Sequence, residues 1–322
     1  MNFDERLSAF LSELIDGVIS IADIKESDLQ QEEKDILLSK YKEHLEAKLL
    51  DDPFVGFTDP IDVQGKVRTW GSKTANKFFS PIQDHSLVYF CGKQNSGKTA
   101  FTFDMAVKNA KEGIRTLYIS LEMTEMSILS RVGRGSACIT KELWREKEKI
   151  PEHMRTKYRQ AINEIRALDN LVLKGFGSGD SPTIEAIEKL IKSIRPDLVF
   201  IDNFDLIQNT GVNQLDHERI VSRRLMDFTN QEKVPIVVLH HLKKTKDSGE
   251  VDAVRGSGKI TDDADAIYFC AREAKADSER DKAIFYIWEK KDREFGEHGY
   301  CEMFFNKGTF QDQFAGETQA GF

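Results

Sequence analysis

The sequence predicts an α/β protein built on a mostly parallel sheet, and three observations carry that prediction. From residue 86 onward, short apolar runs typical of buried strands alternate with segments of helical periodicity. The first run leads into the glycine-containing stretch Gly92–Thr99, and a helical pattern follows that stretch directly. Polar residues stand where several later runs end. Because ligands of parallel sheets lie beyond the carboxyl ends of the strands, these polar residues are expected to meet at one edge.

The stretch Gly92–Thr99 reads Gly-Lys-Gln-Asn-Ser-Gly-Lys-Thr and fits the phosphate-binding pattern of Gly, four residues, then Gly-Lys-Ser/Thr. The two glycines permit backbone angles closed to other residues, so that successive N–H groups turn around a phosphate. Lys98 adds a cation for the β- and γ-phosphates, and the Thr99 hydroxyl is placed to bind Mg²⁺. The loop therefore predicts binding of a nucleoside triphosphate. The predicted contacts are Gly92, Asn95, Ser96, Gly97, Lys98 and Thr99.

The composition fits a globular protein with a core and gives no sign of a strongly basic surface. The chain has 322 residues, of which 40 % are apolar and 31 % charged, enough for one large α/β domain and an appendage. Its net charge is −8, from 46 basic and 54 acidic residues. That balance weighs mildly against DNA binding without excluding it, because a ring-shaped protein can confine basic residues to a small channel.

Cysteine spacing and hydropathy give no signal of a secreted or membrane protein. The cysteines are far apart and lack the spacing of zinc ligands or of a disulfide framework. No apolar run approaches the roughly 18 residues of a membrane-spanning helix, and the acidic N-terminus lacks signal-peptide character. We expect an intracellular protein without a membrane partner, in the cytoplasm of a bacterium or of a phage-infected host cell. The cysteines are Cys91, Cys138, Cys270 and Cys301.

Two amphipathic helices are predicted before the sheet. The first covers residues 3–19, and the second runs to about Leu50 from a capping box of Ser27 with Gln30. Two such helices cannot bury both apolar stripes alone, so we expect them to dock on the main domain or on a neighbouring subunit. The predicted division is a helical segment over 1–50, an irregular linker over 51–85, the α/β domain over 86–310 and a flexible tail over 311–322.

The elements of the α/β domain follow from the apolar runs and the residues that interrupt them. The helix after the phosphate loop is expected to stop at Gly113, a charged, helix-rich stretch covers about 124–168, and further helices are predicted over 183–194 and about 215–231. The glycine cluster Gly175–Asp180 indicates a loop, because it lacks the strand and helix context of a dinucleotide site. Strands are predicted over 86–91, 116–121, 171–173, 198–201, 235–239, 266–271, 283–288 and about 301–305.

Three strand ends carry residues suited to hydrolysis of a triphosphate. Asp202 follows four apolar residues and suits a carboxylate that binds Mg²⁺ either directly or through a metal-bound water, the Walker B role, although helix caps and turns also use aspartate. Glu122 is a candidate general base for the attacking water, since phosphoryl transfer requires that water to be oriented. The ordinary interpretation of an isolated glutamate is a solvated loop residue. His241 is placed to hydrogen-bond a γ-phosphate, and its plain alternative is a polar strand terminus.

A flexible, locally basic loop follows His241 directly. It contains Leu-Lys-Lys-Thr-Lys-Asp-Ser-Gly over 242–249 and Arg-Gly-Ser-Gly over 255–258. A charge run is usually a solvated face, but this one has the layout of a nucleotide-gated loop that binds anions. The predicted DNA contacts are Lys243, Lys244, Lys246 and Arg255.

Several short motifs together resemble the DnaB-like hexameric replicative helicases. His241 followed by Leu-Lys, and the Arg-Gly-Ser-Gly segment, are most similar to the phage primase-helicase and Twinkle branch; other DnaB-like proteins have glutamine where His241 stands. The resemblance covers about residues 86–310, and its later motifs are more specific than the phosphate loop. The motifs are Ser-Leu-Glu-Met at 120–123, Phe-Ile-Asp-Asn at 200–203, Val-Leu-His-His-Leu-Lys-Lys at 238–244, Arg-Gly-Ser-Gly at 255–258 and Asp-Asp-Ala-Asp at 262–265.

The resemblance implies a RecA-like P-loop NTPase core, a six-fold ring, and ATP, or another nucleoside triphosphate with Mg²⁺, bound between subunits. Glu122 then matches the catalytic glutamate and His241 the γ-phosphate sensor. The triplet Lys291-Asp292-Arg293 matches a Lys-x-Arg motif that reaches across from the neighbouring subunit, with Arg293 as the arginine finger. Without the resemblance, that triplet would be an ordinary surface charge cluster.

The function implied is an ATP-driven replicative helicase motor that translocates along single-stranded DNA. The implied partners are that DNA, further copies of the chain in a hexamer, and a primase or polymerase of the same replisome. The sequence departs from the family in its N-terminal helices, which do not match the usual N-terminal domain, and it leaves no room upstream for a primase domain. The alternatives are a RecA-like recombinase or recombination mediator, and a regulatory ATPase that binds no nucleic acid.

Overall fold

The computed structural model describes two compact units, which fall within residues 1–65 and 66–322. None of the helices in the described ranges combines the length and the apolar character that a membrane crossing requires. The described residues are 10, 11, 24, 27, 29–51, 66–177, 181–208, 213–242, 262–272, 284–294, 299–306 and 309–312.

The first unit contains one long described helix, α1 (Gln31–Asp51). Its start confirms a second helix near the predicted position, but the predicted capping box is wrong. The backbone N–H of Gln30 donates to the Glu33 carboxylate at 2.7 Å, while the Ser27 hydroxyl donates to the Ile24 carbonyl. Glutamate at the third helical position therefore caps this end. A small apolar cluster completes the unit and includes Phe10, Leu11, Ile24, Leu29, Leu37 and Tyr41.

The second unit is built on a sheet with the strand order β3-β2-β4-β5-β1-β6-β7-β8-β9. Strands β1 to β6 are parallel, whereas β7, β8 and β9 add an antiparallel extension beside β6. The strands are β1 (Leu87–Gly92), β2 (Thr116–Ser120), β3 (Leu171–Gly175), β4 (Leu198–Asp202), β5 (Ile236–His241), β6 (Ala266–Arg272), β7 (Ile284–Asp292), β8 (Tyr300–Asn306) and β9 (Thr309–Asp312).

Helices cover both faces of this sheet, so the central strands are buried on both sides. One apolar cluster packs helices α7 and α8 against one face, and a second packs α3 and the C-terminal strands against the other. Strands β1, β2 and β4 are buried along their whole length, as expected for parallel strands between two helical layers. The helices are α2 (Lys73–Phe78), α3 (Lys98–Lys111), α4 (Glu125–Ser136), α5 (Lys141–Arg145), α6 (Glu152–Arg166), α7 (Ile184–Ile194) and α8 (Gln214–Glu232).

Two predicted boundaries differ from the structure. Residues 66–85 belong to the second unit and are not a linker. Trp70 is 1 % exposed and its ring lies 4.4 Å from that of Tyr268, so aromatic packing ties this segment to the sheet. The predicted tail also begins too early, because Gln311 and its neighbour lie in β9, which pairs with β8. Of residues 313–322, which complete the predicted tail, none is among the described residues.

Candidate active site

The phosphate loop connects β1 to α3, as the sequence predicts. Gly92 ends the strand, and Gly97 precedes the helix with a φ of 102°. A Cβ atom at Gly92 would stand 2.7 Å from both Cys270 Sγ and Ser96 Oγ, and one at Gly97 would require a strained left-handed backbone. Asn95 also has a positive φ, of 63°. The loop is thus a close-packed backbone cradle at a helix N-terminus, where the helix dipole favours an anion.

Lys98 holds its ammonium group over this cradle. Its Nζ donates to the carbonyls of Gly92 at 2.8 Å and Lys93 at 3.0 Å. Only 5 % of the residue is exposed, and burial lowers its pKa, opposed by nearby acidic groups that include Asp202. A largely desolvated cation at this position binds phosphate oxygens more strongly than one on the surface does.

Asp202 ends β4 beside β2 and is 1 % exposed. Its Oδ2 accepts a hydrogen bond of 3.0 Å from the Tyr118 hydroxyl. Burial raises the pKa of Asp202 to about 6, while hydrogen bonds from Thr99 and Tyr118 act in the opposite direction. The structure therefore places Thr99 close enough to Asp202, the other residue predicted to hold Mg²⁺, to influence its pKa.

Glu122 and His241 converge on the same region from β2 and β5. The imidazole of His241 has Nδ1 3.1 Å from Lys98 Nζ and Nε2 3.0 Å from Asn203 Nδ2. The same amide nitrogen donates to Glu122 Oε2 at 3.4 Å. Burial and the Lys98 charge both lower the pKa of His241, so the ring is neutral at neutral pH and has a single accepting nitrogen, which is either Nδ1 facing the Lys98 ammonium or Nε2 facing the Asn203 amide. Asn203, which the sequence interpretation left without a role, links the glutamate to the histidine.

A second histidine and an aspartate brace the end of β5. The Asp205 carboxylate accepts from the His241 backbone N–H at 3.2 Å and lies 3.2 Å from His240 Nδ1. Burial opposes ionisation of Asp205, but the neighbouring His240 and His241 together outweigh it and lower the Asp205 pKa. The position of His241 is thus fixed from its backbone as well as from its ring.

Lys291 and Arg293 lie at the opposite edge of the sheet. Because β7 is antiparallel to β6, its end pairs with the start of β6, at Ala266. Strand geometry places Arg293 roughly 15 Å from Gly92 along the strands. Its guanidinium bonds Asp265 Oδ1 at 3.0 Å and remains 48 % exposed, and Lys291 donates to the Ala264 carbonyl at 2.6 Å. The structure does not bring these two residues to their own chain's phosphate loop.

A cavity of about 620 Å³ opens from the phosphate loop across the surface of α3. Besides Glu122 and His241, its lining includes Arg272 at the end of β6 and Phe305 on β8. The Arg272 guanidinium lies over the Phe305 ring, 5.5 Å from its centroid. Sequence reasoning missed this pair, because Arg272 follows an apolar strand without any motif and Phe305 looks like a core residue.

The predicted DNA-binding residues cannot be placed in this site. Lys243, Lys244, Lys246 and Arg255 all lie outside the described residues. The range that precedes them ends at Leu242, whose backbone N–H donates to the Gly92 carbonyl at 3.2 Å. The first residue of the predicted loop therefore contacts the phosphate loop directly, and the predicted DNA contacts begin one residue later.

The residues present fit a magnesium–nucleotide pair. Within the described ranges, no three His, Cys, Asp or Glu side chains gather around a common metal position. Mg²⁺ does not require such a cluster, because it is usually held by one or two oxygen ligands of the protein together with substrate phosphates and water. Thr99 and Asp202 supply hard oxygen donors beside the cradle formed by Gly92 and Gly97, and this donor set suits Mg²⁺ better than zinc or copper.

A phosphate loop on a central parallel strand, with an acidic residue ending a neighbouring strand, defines a P-loop nucleoside triphosphatase of the RecA-like fold. Residues 69–313 match the family model of the DnaB-like helicase C terminal domain. The chain belongs to this family.

Comparison with individual proteins gives the same result. The chain is 25 % identical over 231 residues to a probable plasmid replicative DNA helicase of Chlamydia psittaci, an alignment that covers 67 % of this chain and 50 % of that protein. It spans about half the length of the curated relatives it matches.

Two solved structures share the fold. One, described as an ATPase domain, has a TM-score of 0.69 at 21 % identity, with 82 % of this chain and 99 % of that chain covered. A DnaB-like replicative helicase, described with its interactions with primase, has a TM-score of 0.70 at 18 % identity, with 96 % and 76 % covered. At this identity the likeness shows the fold alone.

Proposed function

We propose that this chain is the ATP-driven motor of a replicative DNA helicase, which moves along single-stranded DNA as a ring and hydrolyses ATP between its subunits. The observation that carries the proposal is the convergence of Lys98, Asp202, Glu122 and His241 at one sheet edge, in a chain that belongs to the DnaB-like helicase family. Family membership favours a helicase over the recombinase and the regulatory ATPase, which share the core chemistry.

The side chains at this edge divide the work of hydrolysis. Backbone N–H groups of the phosphate loop bind the phosphates, and the Lys98 ammonium turns from the loop carbonyls to the β- and γ-phosphates. Thr99 and Asp202 hold Mg²⁺, which when bound neutralises charge on the β- and γ-phosphates. Glu122 orients the attacking water and takes its proton. Once Lys98 has turned to the phosphates, Nδ1 of His241 carries the ring proton and donates to the γ-phosphate, while Nε2 accepts from the Asn203 amide.

The catalytic constellation is completed by a second copy of the chain. Arg293 and Lys291 are too far from their own phosphate loop to touch its nucleotide, and Arg293 is half exposed. A head-to-tail contact between copies would bring them to the nucleotide of the neighbour, and such contacts form a ring when the rotation between copies closes. We infer that Arg293 is an arginine finger supplied in trans and that the assembly is a hexamer.

The base of the nucleotide is proposed to lie against Arg272 and Phe305. Both residues line the same cavity as the phosphate loop. The Arg272 guanidinium lies over the Phe305 ring, and a planar base could stack on either of these flat groups. Such stacking is tolerant of base identity, so the pair would accept ATP and other nucleoside triphosphates alike.

DNA contacts are proposed for Lys243, Lys244, Lys246 and Arg255. Their support is the basic sequence that follows His241, together with the contact of Leu242 with the phosphate loop. A shift at the γ-phosphate would therefore reach the basic segment within two residues.

Partners and location are inferred from the relatives. A replicative helicase works beside a primase and a polymerase, and one solved relative is described with its interactions with primase. The Chlamydia psittaci relative is named as a plasmid replication protein of a bacterium. We infer action in the cytoplasm of a bacterial or phage-infected cell, with a primase or polymerase as a further partner.

The test is ATPase activity with and without single-stranded DNA, paired with strand displacement on a forked duplex. We expect both DNA stimulation and displacement. Stimulation without displacement would replace the helicase with a recombinase or mediator, and ATPase activity indifferent to DNA would indicate a regulatory ATPase. Electron micrographs with an ATP analogue and DNA provide a second readout, in which rings support the proposal and filaments contradict it.

A further inference from the structure

A buried tyrosine connects the phosphate-loop helix to the carboxylate at the end of β4. Tyr118 lies on β2, and its hydroxyl is 3.0 Å from Asp202 Oδ2 and 3.1 Å from Thr102 Oγ1. Thr102 belongs to α3, and its hydroxyl is also 3.1 Å from the Lys98 carbonyl. The sequence motifs give Tyr118 no role, because it reads as one more apolar residue of a buried strand.

Chemistry fixes the direction of the hydrogen bond to Asp202. A phenol has one proton and an ionised carboxylate has none, so Tyr118 donates to Asp202. Thr102 also has a single hydroxyl proton, which is donated either to the Lys98 carbonyl or to the phenol oxygen. A hydrogen bond to an ionised acceptor is about twice as strong as one between neutral groups, and Asp202 is almost fully buried, so water offers no replacement.

The aromatic ring of Tyr118 is itself held in place. It stacks on Phe200 at 5.7 Å with an interplanar angle of 24°, and it meets Phe103 edge-on at 5.2 Å. Tyr118 and Phe200 are paired across β2 and β4, two residues before Ser120 pairs with Asp202. The hydroxyl therefore meets the carboxylate from a rigid support and not from a freely rotating side chain.

We propose that Tyr118 is a positioning residue for the magnesium site: its phenol holds the Asp202 carboxylate in the orientation that, with Thr99, receives Mg²⁺. This inference rests on the proposed nucleotide and Mg²⁺ site and deepens it. Tyr118 does not touch nucleotide or metal, so its removal affects metal binding through Asp202 alone. Partners of metal ligands typically contribute 10–100-fold to metal affinity or activity.

The test compares Tyr118→Phe with Tyr89→Phe in the full-length chain. Tyr89 is equally buried but packs into the apolar cluster on the other face of the sheet. The Tyr89→Phe variant therefore removes a buried hydroxyl away from Asp202 and serves as the matched control. A fluorescent ADP is titrated in EDTA, and Mn²⁺ is titrated into the protein–ADP complex and followed by electron paramagnetic resonance. We expect Tyr118→Phe to weaken Mn²⁺ binding about tenfold or more and to leave the ADP affinity in EDTA unchanged. In Tyr89→Phe, both affinities should equal those of the wild-type protein.

Three results would overturn the role of Tyr118: unchanged Mn²⁺ affinity, an equal loss of ADP affinity in EDTA, or the same loss in Tyr89→Phe. A double-mutant cycle sharpens the test, because Tyr118→Phe should cause no further loss in an Asp202→Asn background; an additional loss there would show a route that bypasses Asp202. If the wild-type chain itself binds ADP without any response to Mn²⁺, the proposed nucleotide site fails, which is distinguishable from a failure of Tyr118.

Discussion

The parallel strands β1 to β6 and the antiparallel strands β7 to β9 contribute different parts of the chemistry. The parallel strands end at the same edge of the sheet, so Gly92, Glu122, Asp202 and His241 lie close together there. Lys98 contacts both Gly92 and His241, and Asn203, the neighbour of Asp202, contacts Glu122. Strand β7 runs the other way, and Arg293 emerges at the far edge of the same sheet. Reversal of a single strand direction therefore separates the triphosphate site from its proposed arginine finger.

This separation indicates why the protein would work as an assembly. The parallel edge can bind and orient a nucleotide by itself, but its proposed arginine finger lies on the far edge. That antiparallel edge offers a half-exposed arginine at a distance from its own chain's phosphate loop. Under the proposed function, hydrolysis requires one edge of each chain to face the other edge of a neighbouring copy, so variants at the two edges should fail in different ways.

The largest effect is expected at the antiparallel edge. Arginine fingers contribute about 10³–10⁵ in rate, so Arg293→Ala should lose nearly all ATPase activity, measured in steady state with DNA present. It should retain binding of a fluorescent ATP analogue, because the phosphate loop is untouched. Lys290→Ala, an exposed neighbour on β7, is the matched control. Near wild-type turnover in Arg293→Ala would show that Arg293 is not an arginine finger.

Variants at the parallel edge should separate binding from turnover within one chain. General base catalysis contributes about 10²–10⁴ in rate, so Glu122→Gln should bind ATP normally and lose turnover. Lys98→Ala should lose both, since it removes the charge beside the phosphates. Equilibrium binding and single-turnover hydrolysis measure the two effects, with Glu125→Gln on α4 as the control for Glu122. Full turnover in Glu122→Gln would place the water-activating carboxylate elsewhere.

Asp202 should reduce the stability of the nucleotide-free protein at neutral pH. Its pKa of about 6 in the fold exceeds the ordinary value of 3.8, so the unfolded chain releases this proton first. The protonated Asp202 carboxyl therefore makes its full contribution to the free energy of unfolding below about pH 4. That contribution is lost as the pH rises through about 6, and the difference is about 3 kcal/mol. Asp202→Asn should therefore raise the free energy of unfolding at pH 7 by about 1–3 kcal/mol and abolish magnesium-dependent binding. Denaturant melts at both pH values check this, and a benefit that persists at pH 4 would contradict it.

The proposed base contact joins the two regions, because Arg272 is on parallel β6 and Phe305 on antiparallel β8. Stacking of a base on an aromatic ring contributes about 1–3 kcal/mol, so Phe305→Ala should raise the KM for ATP about tenfold with little change in kcat. Kinetics with ATP and with inorganic triphosphate distinguish the effect, because the substrate without a base should not respond. An equal response to both substrates would exclude a base contact.

The smallest effect is expected in the segment beyond His241. Loss of one phosphate contact should flatten the log–log salt dependence of single-stranded DNA binding by about 0.7 in Lys243→Ala. DNA stimulation of the ATPase should fall while basal hydrolysis remains. Lys189→Ala, an exposed lysine on α7, is the control. An unchanged slope together with unchanged stimulation would exclude this segment as the DNA contact.

The sequence predicted the parallel region better than the antiparallel one for a physical reason. Buried parallel strands are continuous apolar runs, so β1, β4 and β5 were found within two residues of their ends. Strand β9 is four residues long and has no such run. Residues 66–85 looked irregular because their order depends on Trp70 packing with Tyr268, far along the chain.

The site shows the same division between local and long-range information. The phosphate loop is a local motif, and the end of β4 marks Asp202 by itself. The hydrogen bond from Tyr118 and the amide link through Asn203 arise only when β2, β4 and β5 are brought side by side. Tyr118 carries no pattern in the sequence, and the Phe-Ile-Asp-Asn motif at 200–203 includes Asn203 without giving it a role, because a buried tyrosine and a loop asparagine are common in any α/β domain.

In the proposed assembly, one edge of each chain completes the site on the other edge of its neighbour. The DNA-stimulated ATPase of Arg293→Ala and Lys98→Ala proteins, each alone and mixed across a range of ratios, tests this arrangement. In an equal mixture of head-to-tail rings, about one interface in four joins an intact Lys98 to an intact Arg293. The two inactive proteins should therefore regain activity on mixing, with a maximum near equal amounts. No recovery at any ratio, with electron micrographs showing that mixed rings have formed, would contradict it.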